Sequence, residues 1–300
     1  MSDMTLTMPA RAPSNVAALG SFEARRFLRS WPFWVGLALT VLQAATVDLD
    51  HEEWAGSAYQ NFTGMSWPTT YVGAFVAAVL IGSRDRLDPA IPLSATTPVD
   101  GASRTAARLM GGSALVAVSA VAASLSWVYL KASGGIFVAG DRITPSVVEI
   151  ALVPVTVALA VACGIAASQF LGRAVLIVGG SLLILITTVA GWIFGPAIDV
   201  LPAALYLPRD IDLPADFDPA TAPASWILEA PSSDEPNWQR VSFELPSVGM
   251  HLVYVAGLAV VVSAIAVRAH GRHRIARVLG VIGVTATLVG GVGQYLVRSW

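Results

Sequence analysis

Residues 147–197 read VVEIALVPVTVALAVACGIAASQFLGRAVLIVGGSLLILITTVAGWIFGPA. Two apolar runs, 147–171 and 174–197, are separated only by Gly172 and Arg173. Each run is close to the ~20 apolar residues that a helix needs to cross the hydrocarbon core of a bilayer. Lipid offers no partners to backbone N–H and C=O groups, so each run is predicted to be helical. The stretch therefore predicts a transmembrane helical hairpin with a tight turn.

The rest of the chain is also strongly apolar. Of its 300 residues, 55% are hydrophobic and 13% are charged, whereas a soluble domain carries roughly 25% charge. Five further apolar runs bring the candidate spans to seven. We expect an all-α integral membrane protein with six or seven transmembrane helices, an N-terminal interfacial elbow helix and a cytoplasmic helix between spans two and three. The seven predicted spans are 31–47, 68–83, 109–130, 147–171, 174–197, 248–267 and 278–297.

The basic residues indicate an orientation. With the N-terminus inside, thirteen of the eighteen basic residues fall in cytoplasmic segments, as the positive-inside rule requires. The expected location is the plasma membrane, with a multi-pass topology and a cytoplasmic N-terminus. The C-terminus is external if 278–297 crosses the membrane. Trp67, Trp127 and Trp192 fall at predicted outer ends, where they are expected to be interfacial anchors.

No motif for catalysis is present. The sequence has no G-x-x-x-x-G-K-[ST] phosphate loop and no H-E-x-x-H zinc motif. Its one cysteine, Cys163, excludes a cysteine-based metal cluster. His270 and His273 lie among arginines, which disfavour a metal ion, and His251 is expected to be interfacial. We therefore predict no catalytic, cofactor-binding or metal-binding residue, no enzyme activity and no nucleic-acid partner.

Two polar segments flank the first two predicted spans. Residues 16–31 are predicted to form an interfacial helix with Arg25 and Arg29 on its polar side, although Glu23 interrupts the apolar side. Residues 84–108 contain the Thr-Pro turn of SATTPVDGASRTAAR (94–108). Here Asp100 can cap a helix that places Arg104 and Arg108 on one face. Such a helix suits the docking of a cytoplasmic partner.

The predicted outer segment 198–247 has eight prolines, nine acidic residues and two arginines. Proline and charge favour an irregular loop, whereas the interspersed aromatic residues and ASWILEA (224–230) favour partial folding, as a cap on the outer face. Both interpretations remain open for this segment.

This order of features resembles the permease subunits of type-2 ATP-binding-cassette exporters. SFEARRFLRSWPFW (21–34) resembles their elbow helix, TTPVD (96–100) their coupling-helix turn, and GMHLVYVAGLAVVVSAIAVRAHGRHR (249–274) their sixth span and basic tail. The resemblance covers roughly residues 16–274. It departs at Asp100, where a serine is commoner, and at the additional predicted span in 275–300. Residues 1–15 are expected to be a disordered cytoplasmic tail.

The resemblance implies a function and a set of partners. A dimer, formed with a second copy or a paralogous permease, would work with cytoplasmic P-loop ATPase subunits that bind ATP and Mg²⁺, and would contact membrane lipids. The implied partner-binding residues are Thr97, Pro98, Val99, Asp100, Arg104 and Arg108. The implied elbow-helix residues are Phe22, Arg25, Arg26, Phe27, Arg29 and Trp31.

A second function is open on the sequence. The chain could be a non-transporting membrane protein (an anchor, sensor or immunity factor) that binds a ligand or partner through its acidic outer segment. An ATPase gene beside this one, or an ATPase that co-purifies with the chain, would favour the exporter. The exported substance leaves no short motif.

Overall fold

The structure is a computed structural model that describes residues 16–47, 49, 62, 66–84, 100–138, 141–194, 201, 209–223, 226–231, 236–242, 245–269 and 273–297. These residues are mostly helical. The helices are α1 (Val16–Leu28), α2 (Trp31–Ala45), α3 (Pro68–Gly82), α4 (Gly101–Ala132), α5 (Val147–Ala167), α6, α7 (Leu245–Arg268) and α8 (His273–Leu296). Helix α6 runs from Arg173–Val175 through a π-helical stretch, Leu176–Gly180, to Ser181–Phe194.

Each predicted span coincides with one of the helices α2 to α8. Four of them, α4, α5, α7 and α8, are long and apolar enough to cross a membrane. The shorter apolar helices are Trp31–Ala45, Pro68–Gly82 and Arg173–Thr188. These helices are compatible with a multi-pass membrane protein, and the apolar run 278–297 lies in one of the four long helices.

Helix α4 differs from the expectation of a docking helix followed by a separate span. It runs unbroken through 32 residues, because no proline interrupts it and Arg108, Leu109 and Met110 all favour a helix. At ~1.5 Å per residue it is about 48 Å long, compared with ~30 Å for the hydrocarbon core. The basic segment 100–108 is therefore the first part of the third span's helix.

The core lies where α3 and α5 pack side by side, with α2 and α6 also contacting α3 and α4 contacting α5. Gly164 of α5 lies against Ala78 of α3, and Gly82 lies against Ser168 four residues further along both. The two helices therefore run parallel. Helix α7 packs on α5 and, antiparallel, on α8, where Gly290 lies against Tyr254. Small residues allow these close approaches, as is common between membrane helices.

Two residues expected at a membrane interface are buried instead. Trp67 is 3% exposed, and its indole Nε1 donates to the Phe62 carbonyl at 3.0 Å. His251 is fully buried between α7 and α8, with Nδ1 3.1 Å from Oε1 of Gln294. Their burial was not predicted, because the position of a residue in its span does not tell which neighbouring segment covers it.

The segments between helices contain strands, so the all-α expectation does not extend to them. Strands β1 (Ile136–Val138) and β2 (Asp141–Ile143) form an antiparallel hairpin. In the acidic outer segment, β3 (Arg209–Asp212), β5 (Gln239–Ser242) and β4 (Ile227–Glu229) form an antiparallel sheet with β5 in the centre. The described parts of this segment are folded, because their backbone groups pair across the sheet.

Candidate functional site

The predicted docking segment is described from Asp100 onward; Thr97, Pro98 and Val99 lie outside the described residues. Asp100 has an extended backbone, and its Oδ1 accepts from the Ser103 N–H at 2.6 Å. This is the N-cap that the sequence predicted. It fixes the point at which the chain enters α4, because one of the unpaired N–H groups of the first turn is satisfied there.

Arg104 and Arg108 share a face of α4, as their spacing predicted, but they are half-buried. The Nη1 of Arg108 donates to the Gly82 carbonyl at 3.5 Å, at the end of α3. A cation is favourable there, because the last carbonyls of a helix have no partner within the helix. Arg108 therefore connects the beginning of α4 to the end of α3. Sequence spacing alone could not show this contact.

The N-terminal helix is shorter than predicted. Helix α1 ends at Leu28, and Trp31 is the first residue of α2. The indole Nε1 of Trp34 donates to the Leu28 carbonyl at 2.7 Å across the connection. The chain therefore turns at Arg29 and Ser30, and Pro32 in the first turn of α2 suits a helix start.

The buried face of α1 consists of Gly20, Glu23 and Phe27 and packs on α4. Glu23 was expected to interrupt the apolar side, yet it is only 4% exposed. Its side chain lies over Gly111, which has no side chain to exclude it. Glu23 Oε1 also accepts from Nη1 of Arg26 at 2.9 Å. A carboxylate is tolerated there because it is paired with a cation.

Five of the six predicted elbow-helix residues line one cavity of about 670 Å³. The sixth, Phe27, is fully buried in the core. The other walls come from the end of α3 and the start of α6. The lining residues are Phe22, Arg25, Arg26, Arg29, Ser30, Trp31, Leu80, Ile81, Arg84 and Arg173. We call this the basic cavity.

The opposite ends of α2, α3 and α4 form a second cavity of about 490 Å³. The hydroxyl of Thr40 lies at its wall and donates to the Ser66 carbonyl or pairs with Thr69 or Thr70, at 2.7–2.8 Å. The remaining lining is mainly apolar, with Trp67, Leu125 and Tyr129 among its members. Such a cleft suits an amphipathic molecule better than an ion.

No protein-family model, curated protein or solved structure matches the chain. Within the described residues, no group of three His, Cys, Asp or Glu side chains could hold a metal ion. The functional interpretation therefore depends on the order of features in the sequence and on the geometry of this chain.

Sequence reasoning missed the residues that complete the two cavities. Arg84 and Arg173 are 89 positions apart in the sequence, yet both line the basic cavity. The alternation of predicted spans assigned both residues to the same side of the membrane, whereas their proximity depends on which helices are neighbours. Nothing in the sequence indicated that Thr40 lines a cavity, because a lone threonine in an apolar run is common.

Proposed function

We propose that this chain is the permease subunit of an ATP-binding-cassette exporter, which moves a substrate across the membrane with energy supplied by a separate cytoplasmic ATPase. The observation that carries the proposal is the unbroken helix α4, which begins at the Asp100 cap, two residues after Pro98 in the sequence. This continuous helix joins the predicted docking segment to the helix bundle.

Contacts at the start of α4 would transmit a push from the ATPase. Arg108 connects α4 to the end of α3, and Gly111 lies directly against Glu23 of α1. Packed helices move as units because close-packed interiors transmit strain. A displacement of the segment before Asp100 would therefore move α1, α3 and α4 together, and ATP-driven closure of the partner would change the opening of the pathway.

The chemistry belongs to the partner in this proposal. The chain has no phosphate loop, so ATP and Mg²⁺ are bound by the ATPase, and this chain is not an enzyme. Two permease chains, identical or paralogous, would pair with two ATPase subunits.

The docking segment can be tested without disturbing α4. Residues 96–99 are replaced by Gly-Ser-Gly-Ser, with Asp100, Arg104 and Arg108 left in place because Arg108 contacts α3. The chain is co-expressed with any P-loop ATPase that is encoded beside its gene and is purified through a tag. We expect normal membrane insertion and thermal midpoint but loss of the ATPase from the purified complex.

A matched control places the same four residues at 232–235, in the acidic outer segment, and should retain the ATPase. Retention of the ATPase by the 96–99 variant would contradict the docking assignment. Failure of the unmodified chain to retain any P-loop ATPase would contradict the exporter function.

A second candidate function has one observation in its favour, the folded outer sheet. The guanidinium of Arg240 lies 4.4 Å above the ring of Trp226, and that ring stacks on Phe217 with centroids 6.3 Å apart. An ordered aromatic and charged surface suits an anchor, sensor or immunity factor that binds a partner outside the membrane. Trp226→Ala should then abolish partner capture by the chain, whereas an exporter would keep its ATPase.

A further inference from the structure

The basic cavity contains more positive charge than the carboxylates of the described residues neutralise. Five arginines line it. Arg26 is paired with Glu23 at 2.9 Å and stacks over the Phe22 ring at 4.4 Å. Within the described residues, no carboxylate lies at ion-pair distance from Arg25, Arg29, Arg84 or Arg173. Four arginines from three separate segments thus line one space with no carboxylate partner among the described residues.

Like charges gathered in this way repel one another, so their convergence favours an anionic ligand. Guanidinium groups are planar donors that bind phosphate oxygens in pairs, and Arg is the preferred residue for this geometry. The beginning of α2 opens into the same space, and its N-cap residue Ser30 makes no side-chain cap. The first N–H groups of that helix add to the positive potential.

The rest of the lining is apolar, which a soluble anion would not require. Leu80 and Ile81 come from the last turn of α3, and Phe22 and Trp31 are 48% and 70% exposed. Beyond Trp31, the outward face of α2 continues with exposed Trp34 and Val35. A ligand for this site would therefore combine a phosphate group with hydrocarbon chains. An exposed tryptophan beside such a site is typical of the boundary between headgroups and acyl chains.

The predicted cytoplasmic location of the cavity is consistent with a phosphate-bearing lipid as its ligand. The cavity is formed by the start of α2, the end of α3 and the start of α6, which the arginine distribution places on the cytoplasmic side. Anionic lipids are concentrated in the cytoplasmic leaflet, and basic pockets between helices bind their headgroups.

We propose that the basic cavity is a binding site for the phosphate headgroup of an anionic phospholipid, held by Arg25, Arg29, Arg84 and Arg173, with its acyl chains along the exposed face of α2. Bound lipid would connect α1, α3 and α6, which have no ion pairs between them among the described residues. The site does not depend on the proposed function, because either candidate protein would carry it.

The test uses the full chain purified in a neutral detergent, with dioctanoyl-phosphatidylglycerol as the probe and native mass spectrometry as the readout. The variant is Arg29→Gln combined with Arg173→Gln. The control variant is Arg268→Gln combined with Arg277→Gln, which removes equal charge from a separate cavity lined by α7 and α8. The thermal midpoint of each protein shows whether it is folded.

We expect saturable binding of phosphatidylglycerol to the unmodified chain and to the control variant. The Arg29/Arg173 variant should bind at least ~10-fold more weakly, since charge-assisted hydrogen bonds to the phosphate are lost. Dioctanoyl-phosphatidylcholine should bind at least ~10-fold more weakly to the unmodified chain, because its zwitterionic headgroup has no net negative charge and its choline cation is repelled by the arginines. Arg29→Lys with Arg173→Lys keeps the charge and should restore only part of the affinity.

Three results would overturn the proposal. Equal binding by the two glutamine variants would show that the lipid binds elsewhere. Equal affinity for phosphatidylcholine would show that the cavity does not select a negative headgroup. Displacement of phosphatidylglycerol by millimolar inorganic phosphate would assign the site to a soluble anion. If the Arg29/Arg173 variant is unfolded, the single variants Arg29→Gln and Arg173→Gln decide between these outcomes on the same probe.

Discussion

The polar side chains at the two ends of the helix bundle differ in charge and in their bonding partners. At the end where α2 begins and α3 finishes, four arginines converge on an open cavity with no carboxylate partner among the described residues. At the opposite end, two polar contacts between helices are made by neutral side chains, although charged residues such as Glu149 and Lys131 also lie there. Thr40 bonds across the α2–α3 contact, and His251 bonds to Gln294 across the α7–α8 contact.

This difference distinguishes polar groups that stabilise helix packing from polar groups that are available to bind a ligand or partner. A buried hydroxyl or amide has a low cost when its partner lies within the chain, so the neutral end stabilises helix contacts without help from outside. Guanidinium groups cannot satisfy one another, so the arginine-rich end needs solvent, another part of the chain, a partner protein or an anion to offset its charge. Both proposals made above concern that end.

The largest expected effect concerns the side of the membrane. The contrast between the two ends requires the arginine-rich end to be cytoplasmic. In a Cys163→Ala background, cysteine is introduced at Gly172, beside Arg173, or at Ala215, in the folded outer segment. A membrane-impermeant thiol reagent applied to intact cells should label position 215 and leave position 172 unlabelled until the cells are permeabilised.

Gly172 is suited to this experiment, because nothing lies within 4 Å of the position that a Cβ would occupy. Labelling of position 172 in intact cells would contradict the orientation and the phospholipid assignment together.

The second prediction concerns the packing of α1, which forms one wall of the basic cavity. A Cβ at Gly111 would lie 2.6 Å from Cβ of Glu23 and 2.8 Å from N of Ala24. Gly111→Val should therefore displace α1 from α4 and lower the free energy of unfolding by about 3 kcal/mol, as overpacking does. Denaturant titration in detergent micelles measures the change.

Gly179→Val is the matched control, because that position has open space around it, and its effect should stay within about 0.5 kcal/mol. If Gly111→Val leaves stability unchanged, the close packing of α1 on α4 is absent and the cavity loses that wall.

The smallest effect is expected at the neutral end. Thr40→Val keeps the shape of the side chain and removes a buried hydroxyl that lies 2.7 Å from the Ser66 carbonyl and 2.7 Å from Oγ1 of Thr70. These groups would be left without that partner, so the free energy of unfolding should fall by about 1–3 kcal/mol.

Thr46→Val serves as the comparison in the same titration, since Thr46 is exposed and its hydroxyl donates to the Gln43 carbonyl within its own turn. Equal effects of the two substitutions would show that the hydroxyl contacts between α2 and α3 do not hold this end together.

Local patterns determined much of what the sequence could tell. The length and apolar character of the run 109–130 predicted a helix because backbone groups in lipid must bond within their own segment. Asp100 was recognisable as a cap because the interaction reaches only three residues ahead, to Ser103. The turn predicted at Gly172 and Arg173 lies earlier in the chain, at 168–172, because α5 ends at Ala167 and Arg173 is the first residue of α6.

Tertiary structure decided everything that depends on which helices are neighbours. Glu23 broke the apolar pattern of α1, and only the glycine at 111 on another helix explains its burial. Arg108 was expected to face a partner, and the end of α3 supplies a carbonyl for it. Arg84 and Arg173 became one site because α3 and α6 are adjacent. Helical periodicity assigns a residue to a face but not to the neighbour of that face, because that choice depends on the packing of the whole bundle.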